Sequence, residues 1–484
     1  MDARSALGGK VRILSKSALR EIDRAARAIL SKTGIHVGDA KIREMLAGAG
    51  ASVSADDRVR LSEGIIDDAL AATPDRVVLY GRGEAPTLDL GGVRVHLGTG
   101  GAAIRILDLE SGHPREPRLS DLADIAWLVE HLDNIHFFLR PVVARDVPQE
   151  SLDLWKFYTC LANTTKHVMG SASSPETARD AIELASIVAG GEEALVERPI
   201  ISFVTSWMVS PLTLDDRATN VLAAVTERGI PVALSSAPIA GSTAPATLAG
   251  LLAQVHAEQL SGIVLAQSIR RGAPVLYGPV PAIADFHTMG YAGGAIESAL
   301  LNAACVQLAH LIRVPIYSDA GLTDSKAPDA QAGYEKGMNI LLLALAGGNY
   351  IHHAAGMLES MLAVAYEQYV IDNEINGMAL RALRGIDVSA ETLAEDVIDV
   401  VGPGGNFLTQ PHTLRYIRTS EYFAPTLSDR RGRAAWEAAG SPEARERAKS
   451  IAKGILARER KDFIPPDVDR QARGRFELPE PRRA

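Results

Sequence analysis

The sequence predicts an α/β chain whose main body is a closed (β/α)8 barrel, preceded by a helical extension and followed by a charged helical tail. Two observations carry this. From Val93 onward, short and nearly continuous apolar runs alternate with amphipathic stretches of helical period, the pattern of a parallel sheet covered by helices on both faces. The most polar loop of the chain, Ser318 to Asp329, directly follows one such run, and barrels place their chemistry in the loops after their strands. A chain of 484 residues has room for one such domain with flanking pieces. The expected division is residues 1–92 as extension, 93–427 as barrel and 428–484 as tail.

The extension opens with SALREIDRAARAILSKTG, a helical pattern that starts on a serine cap and closes on glycine. KIREMLAGAG and SEGIIDDALAAT repeat the pattern, and apolar faces of this kind serve packing or dimerisation. RVVLYGR and VRVHLGTGG form a short β segment, and AIRILDLESGHPREP reads as a hairpin or loop excursion. Strands are expected at Val93 to Leu97, His136 to Leu139, His167 to Gly170, Ile200 to Val204, Val232 to Leu234, Val275 to Tyr277, Ile316 to Tyr317 and Tyr350 to His352. Eight of them complete a barrel. Beyond Gly356 helices are expected at Glu359 to Asn376, Ser389 to Val401 and Ala434 to Lys461, with a loosely ordered, proline-punctuated end. No repeat at solenoid spacing is present.

Composition narrows the functions. Hydrophobic residues at 47% and charged residues at 23% describe an ordinary globular protein. A net charge of −9 argues against nucleic acid as a partner, which needs a basic face. With only Cys160 and Cys305, neither a disulfide framework nor a thiolate zinc site is expected. There is no secretory leader pattern and no apolar run of membrane-spanning length, Ile340 to Ala346 being the longest candidate. A cytoplasmic protein is expected.

SDAGLTDSKAPDAQAGYEK (Ser318 to Lys336) resembles a signature of the trimethylamine methyltransferase family, as do SSAPIAGSTAPATLAGLLAQVHAEQLSGIVL (Ser235 to Leu265) and GPGGNFLTQPHTLRYIR (Gly402 to Arg418). With SPL at Ser210 to Leu212, the similarity spreads over most of the chain after about residue 95. The resemblance implies the same TIM barrel and a methyl transfer from a methylated amine to a corrinoid (cobalamin) cofactor held by a separate small corrinoid protein. Family members acting on trimethylamine carry pyrrolysine, and this chain shows none at any position. The resemblance is therefore to the branch for quaternary amines such as glycine betaine, whose leaving group is already a neutral tertiary amine. The alternatives are a non-catalytic barrel that binds a quaternary amine, a trimethylamine methyltransferase, and a lyase or aldolase. A homo-oligomer is expected, and no zinc or other metal.

A quaternary ammonium has no donor to bond, so its site calls for aromatic faces and a carboxylate. Trp207, Tyr277, Phe286, Tyr291, Tyr317, Tyr350 and Phe407 fall at strand ends or in the loops that follow; the plainer reading of each is barrel packing. His352 and His353 end the eighth strand, and strict alternation would put them on opposite faces. The family match makes His352 the substrate candidate, with Asp319, Tyr350, Tyr317, Tyr277, Phe286 and Trp207. In the polar loop, Asp324, Lys326 and Gln331 join Asp319; Asp329 reads as the cap of the next helix, and Lys326 would need burial to act as a Schiff-base lysine. DFHTMG matches a corrinoid-ligand pattern without its companion segments, leaving Asp285 and His287 as lip residues. GPGGNFLTQPHT lacks the Walker lysine and Rossmann spacing; its Gly404, Gly405, Phe407 and Gln410 are expected to face the corrinoid or its carrier.

Overall fold

A computed structural model describes residues 7–480 apart from Met289 and Ser420. Eight parallel strands form its centre: β1 (His96–Thr99), β2 (Phe137–Leu139), β3 (His167–Gly170), β4 (Ile201–Thr205), β5 (Val232–Ser236), β6 (Val275–Pro279), β7 (Tyr317–Asp319) and β8 (Tyr350–Ala355). Each overlaps an expected strand. They pair in sequence order, β8 returns to β1, and the ring closes where Tyr277 bridges Ile316. Eight helices alternate with them: α1 (Leu119–Glu130), α2 (Leu152–Asn163), α3 (Pro175–Ala189), α4 (Asp216–Glu227), α5 (Leu248–Ile269), α6 (Ile296–Ile312), α7 (Ala330–Ala346) and α8 (Tyr366–Arg384).

Strand parity decides what fills the barrel. Phe137, Leu139, Met169, Ala233, Leu276, Tyr317 and Tyr350 point inward and form one buried cluster with Val77, Leu79, Leu88 and Leu90. Those last four belong to an antiparallel hairpin, Arg76–Leu79 with Leu88–Gly91, which stops the N-terminal end of the barrel. Residues of β1 make room for the filling: a Cβ on Gly98 would lie 2.2 Å from the Phe137 ring. With one end stopped, ligands can enter only past the C-terminal ends of the strands.

The extension is part of this body. Its first helix, Lys16–Lys32, is capped by Ser15 and buries Leu19, Ile22, Ala26 and Leu30, and one hydrophobic core runs from the extension through the barrel to the tail. α5 lies between this helix and the sheet, so it is apolar nearly all round. By length and composition α5 could cross a membrane, against the expectation that no run is long enough, but it is mostly buried inside the protein. Burial within a core accounts for that composition.

After β8 the chain turns back at Glu359 to Met361, all with positive φ, and adds Ala363–Ala365 to a lip sheet beside Arg105–Leu107. Hence α8 starts later than the expected Glu359 and runs on to Arg384. The tail helix expected over Ala434 to Lys461 is split into Arg433–Ala438 and Ala444–Leu456, because Gly440 and Ser441 take left-handed φ. The chain end is a docked helix, Pro466–Arg475, where the sequence suggested loose order: Arg473 pairs with Asp469 at 2.8 Å, and Tyr158 donates to Asp469 at 2.6 Å.

Candidate active site at the barrel mouth

An aromatic column rises through the barrel to its open end. Phe137 stacks on Tyr350 with centroids 3.6 Å apart, Tyr350 on Tyr317 at 5.6 Å, and Tyr317 on His352 at 3.9 Å. Tyr350 is deep in this stack and packs the interior. Tyr317 and His352 are its upper members. Both ring nitrogens of His352 are buried without a partner, and burial, then the neighbouring His353, holds its pKa well below the usual value. The ring at the top of the column is thus a neutral aromatic face.

His353 does not point the opposite way. Its φ is +61° and the β8–β1 register shifts between Ile351 and Ala355, a bulge that breaks the alternation on which that expectation rested. The bulge brings the two histidine rings to 4.2 Å. His353 Nδ1–H donates to Asp319 Oδ1 at 2.7 Å, and Nε2 faces the Gly101 carbonyl at 3.4 Å. Gly100 is required beside it, since a Cβ there would come within 1.9 Å of the imidazole. Tyr291, on a lip strand, is near enough to Asp319 and Asp324 for their charges to add to the burial that raises its phenol.

Donor atoms of Asp319, His352 and His353 lie within 4.8 Å of one another. Among the described residues this trio could hold a divalent metal, a set the sequence reading did not foresee.

Sequence reasoning also missed Arg140 and Lys156. Arg140 directly follows β2 and donates to Ser171 Oγ at 2.8 Å. Lys156, on α2, donates to Asp153 at 2.7 Å and to the Ser171 carbonyl. Burial, then Arg140, brings the Lys156 pKa down to about 8. The Asp153 pKa lies at about 2: burial opposes this, but Lys156 and Ser173 outweigh it. These groups line a cavity of about 210 Å³ between the loops after β2 and β3.

Several expected residues lie elsewhere. Tyr277 faces the helices, not the mouth: its strand turns Leu276 inward, and its hydroxyl meets His256 Nδ1 at 2.9 Å while His256 Nε2 meets Asp23 at 3.0 Å. Trp207 is fully buried against α5, where a Cβ on Gly262 would lie 2.5 Å from its ring. Phe286 is 65% exposed on the lip. Beside it, Asp285 accepts from the His287 amide at 2.9 Å and the Thr288 amide at 2.7 Å in a tight turn. Asp329 caps α7 by accepting from the Ala332 amide at 3.0 Å. Lys326 is exposed. Lys336, on α7, is fully buried instead, paired at 3.2 Å with Asp372 and donating to the Gly321 carbonyl.

Gly404, Gly405, Phe407 and Gln410 are not at the mouth. They belong to an arm, residues 386–422, rooted at the end of α8. That end is tied to the stopped side of the barrel, where Lys10 bonds the carbonyls of Leu345 and Leu383, and the arm returns where Arg381 holds the Glu421 carbonyl. The helix Tyr366–Arg384 runs away from the mouth, so the loop after it must begin at the far end.

The fold and the site together define a barrel enzyme with an aromatic column inside the barrel and a small charged cavity beside its strand ends. A model of the family "Trimethylamine methyltransferase (MTTB)" matches residues 6–476. A glycine betaine methyltransferase from Desulfitobacterium hafniense is 36% identical over 462 residues, 95% of this chain and 94% of that one. A trimethylamine methyltransferase, MttB, from Methanosarcina barkeri is 36% identical over 444 residues, 90% of this chain and 88% of that one. Among solved structures, the monomethylamine methyltransferase MtmB of Methanosarcina barkeri aligns over 91% of both chains at 13% identity and a TM-score of 0.50, which shows the fold alone. The chain belongs to the trimethylamine methyltransferase family, a family of methyltransferase enzymes.

Proposed function

We propose that this chain moves a methyl group from a quaternary amine, glycine betaine or a related betaine, to the corrinoid of a small partner protein docked on the barrel lip. The observation that carries the proposal is the top of the aromatic column. The face of neutral His352, backed by the stacked Tyr317 ring and beside the Asp319 carboxylate, suits a cation with no hydrogen to donate. The glycine betaine methyltransferase among its relatives supports the same substrate class.

The two cysteines and the lysines of the polar loop and its helix are poor candidates to take the methyl group. Burial pushes the Cys160 thiol up to about 12 and raises Cys305 as well, Lys336 is bound to Asp372, and Lys326 is on the surface. In the methyl-transfer reading the acceptor arrives from outside. The lip would offer a flat macrocycle apolar contacts: Ile104, Phe286, Ile296 and Leu362 are exposed apolar residues of the loops and helix starts around the opening, and Ile104 and Leu362 are joined by a backbone hydrogen bond of 3.1 Å. A corrinoid supplies a cobalt centre nucleophilic enough to accept a methyl group, and the C–N bonding pair stays with the departing amine.

This chain's own residues then bind, orient and exclude water. His352, backed by Tyr317, would hold the ammonium, Asp319 would balance its charge, and His353 fixes Asp319 in place. The departing tertiary amine needs no proton, in keeping with a histidine that stays neutral. Fixing two reactants in this way supplies on the order of 7 kcal/mol or more in favourable cases. The test is methyl transfer to reduced cobalamin with the purified chain. Dimethylglycine should form from glycine betaine, with no turnover of trimethylamine; the reverse pattern would overturn the proposal.

A further inference from the structure

We propose that Arg140 binds a carboxylate on the substrate, so that the mouth selects zwitterionic quaternary amines over methylammonium cations without an acid group. This assignment rests on the methyl-transfer reading above and names the feature by which that site would choose its substrate. Arg140 and Lys156 bring two buried cations to the cavity, and Asp153 is the carboxylate that faces them. Asp153 is already engaged by Lys156 at 2.7 Å, by the Ser173 amide and hydroxyl at 2.6 Å each, and by Thr177 at 2.9 Å. Arg140 Nε, though buried, has no acceptor. The cluster is one negative charge short, and a carboxylate would complete it.

Position supports the same ligand. Gly101 lies between this cluster and the column: its carbonyl faces His353 Nε2 at 3.4 Å, and a Cβ on it would come within 1.9 Å of the Arg140 carbonyl oxygen. The Arg140 charge also reaches Tyr317, where it opposes the burial that raises the phenol. Arg140 thus lies within electrostatic reach of the column, one wall away from its cap. A cavity of about 210 Å³ is below the range of roughly 300–1,000 Å³ usual for drug-sized ligands, so its occupant is compact. The planar guanidinium fork matches a carboxylate, which trimethylamine lacks.

The test is calorimetric binding of glycine betaine and of tetramethylammonium to the full chain without its partner. R140Q should weaken glycine betaine by about 30-fold, leave tetramethylammonium within about twofold, and R140K should recover part of the loss. Equal losses for both ligands, or none for glycine betaine, overturn the assignment while leaving the proposed function standing. A wild-type chain that binds neither overturns both. Should R140Q fail to fold, R140K carries the test through its own selective loss of glycine betaine.

Discussion

Replacing Asp153 with asparagine should destabilise the chain by about 3–5 kcal/mol at pH 7, the usual cost of breaking a buried ion pair, and by much less at pH 10. The asparagine keeps the shape and can still accept from Ser173 or Thr177, but it cannot balance Lys156. In the native chain the Asp153 pKa of about 2, against 3.8 for an ordinary aspartate, is worth about 2 kcal/mol. That stability is present above pH 3.8 and is lost as pH falls towards 2. Lys156 works the other way: its folded pKa is about 8 against 10.5, so the unfolded chain binds more protons between these values and stability from this group rises with pH across that window. Without Asp153 the lysine pKa falls further and the proton is shed on folding at neutral pH. Above pH 8 the native lysine is neutral too, and the difference between the two proteins contracts to the hydrogen-bond part, about 1 kcal/mol. For 484 residues the unfolding entropy is about 1 kcal/mol/K, so the fall in Tm should be about 3–5 °C at pH 7 and about 1 °C at pH 10. Scanning calorimetry across a pH series reads this directly. An equal Tm loss at both pH values would refute the electrostatic account of the cluster.

Tyr317→Leu should weaken glycine betaine and tetramethylammonium alike by about 10-fold, and Tyr317→Phe should stay within about twofold, because the ring and not the hydroxyl backs the His352 face that meets the cation; a phenylalanine as poor as the leucine would assign that role to the hydroxyl. Glycine betaine affinity should fall above pH 8 as Lys156 loses its proton, with tetramethylammonium unaffected; calorimetry at pH 7 and 9.5 that gives one dissociation constant for glycine betaine would contradict the two-cation pocket. Gly98→Ala places a Cβ 2.2 Å from the Phe137 ring and should cost about 2–3 kcal/mol in denaturant unfolding, since neither the strand nor the stacked ring has room to yield; a loss under about 0.5 kcal/mol would mean the column is loosely packed.

The strands were legible because a parallel barrel strand is apolar on both faces, which makes each run conspicuous. The same property hid which side chains point inward, since a run without alternation carries no parity. Tyr277 therefore reads as a mouth residue yet packs against helices, while Tyr317, on a strand of the same kind, faces in; Trp207, two residues past the end of β4, is buried against α5. His353 is a different failure. Its position depends on a one-residue bulge beside Gly100, set by packing between β8 and β1, and no local pattern in YIHHAA announces it. Arg140, by contrast, left a trace. Among the eight strands, β2 is the one whose next residue is charged; the others are followed by Gly100, Ser171, Ser206, Ala237, Val280, Ala320 and Gly356. An arginine at the mouth end of an all-apolar run has its stem fixed by the strand and its head carried over the opening. Such a charge is costly to hold there unless a group of opposite sign arrives, and Lys156, set among Trp155, Phe157 and Tyr158 on α2, repeats the anomaly on the adjoining wall. Two cations placed against the apolar grain of their elements, on neighbouring elements that meet at the mouth, are a signal for an anionic ligand that can be read before any coordinates exist.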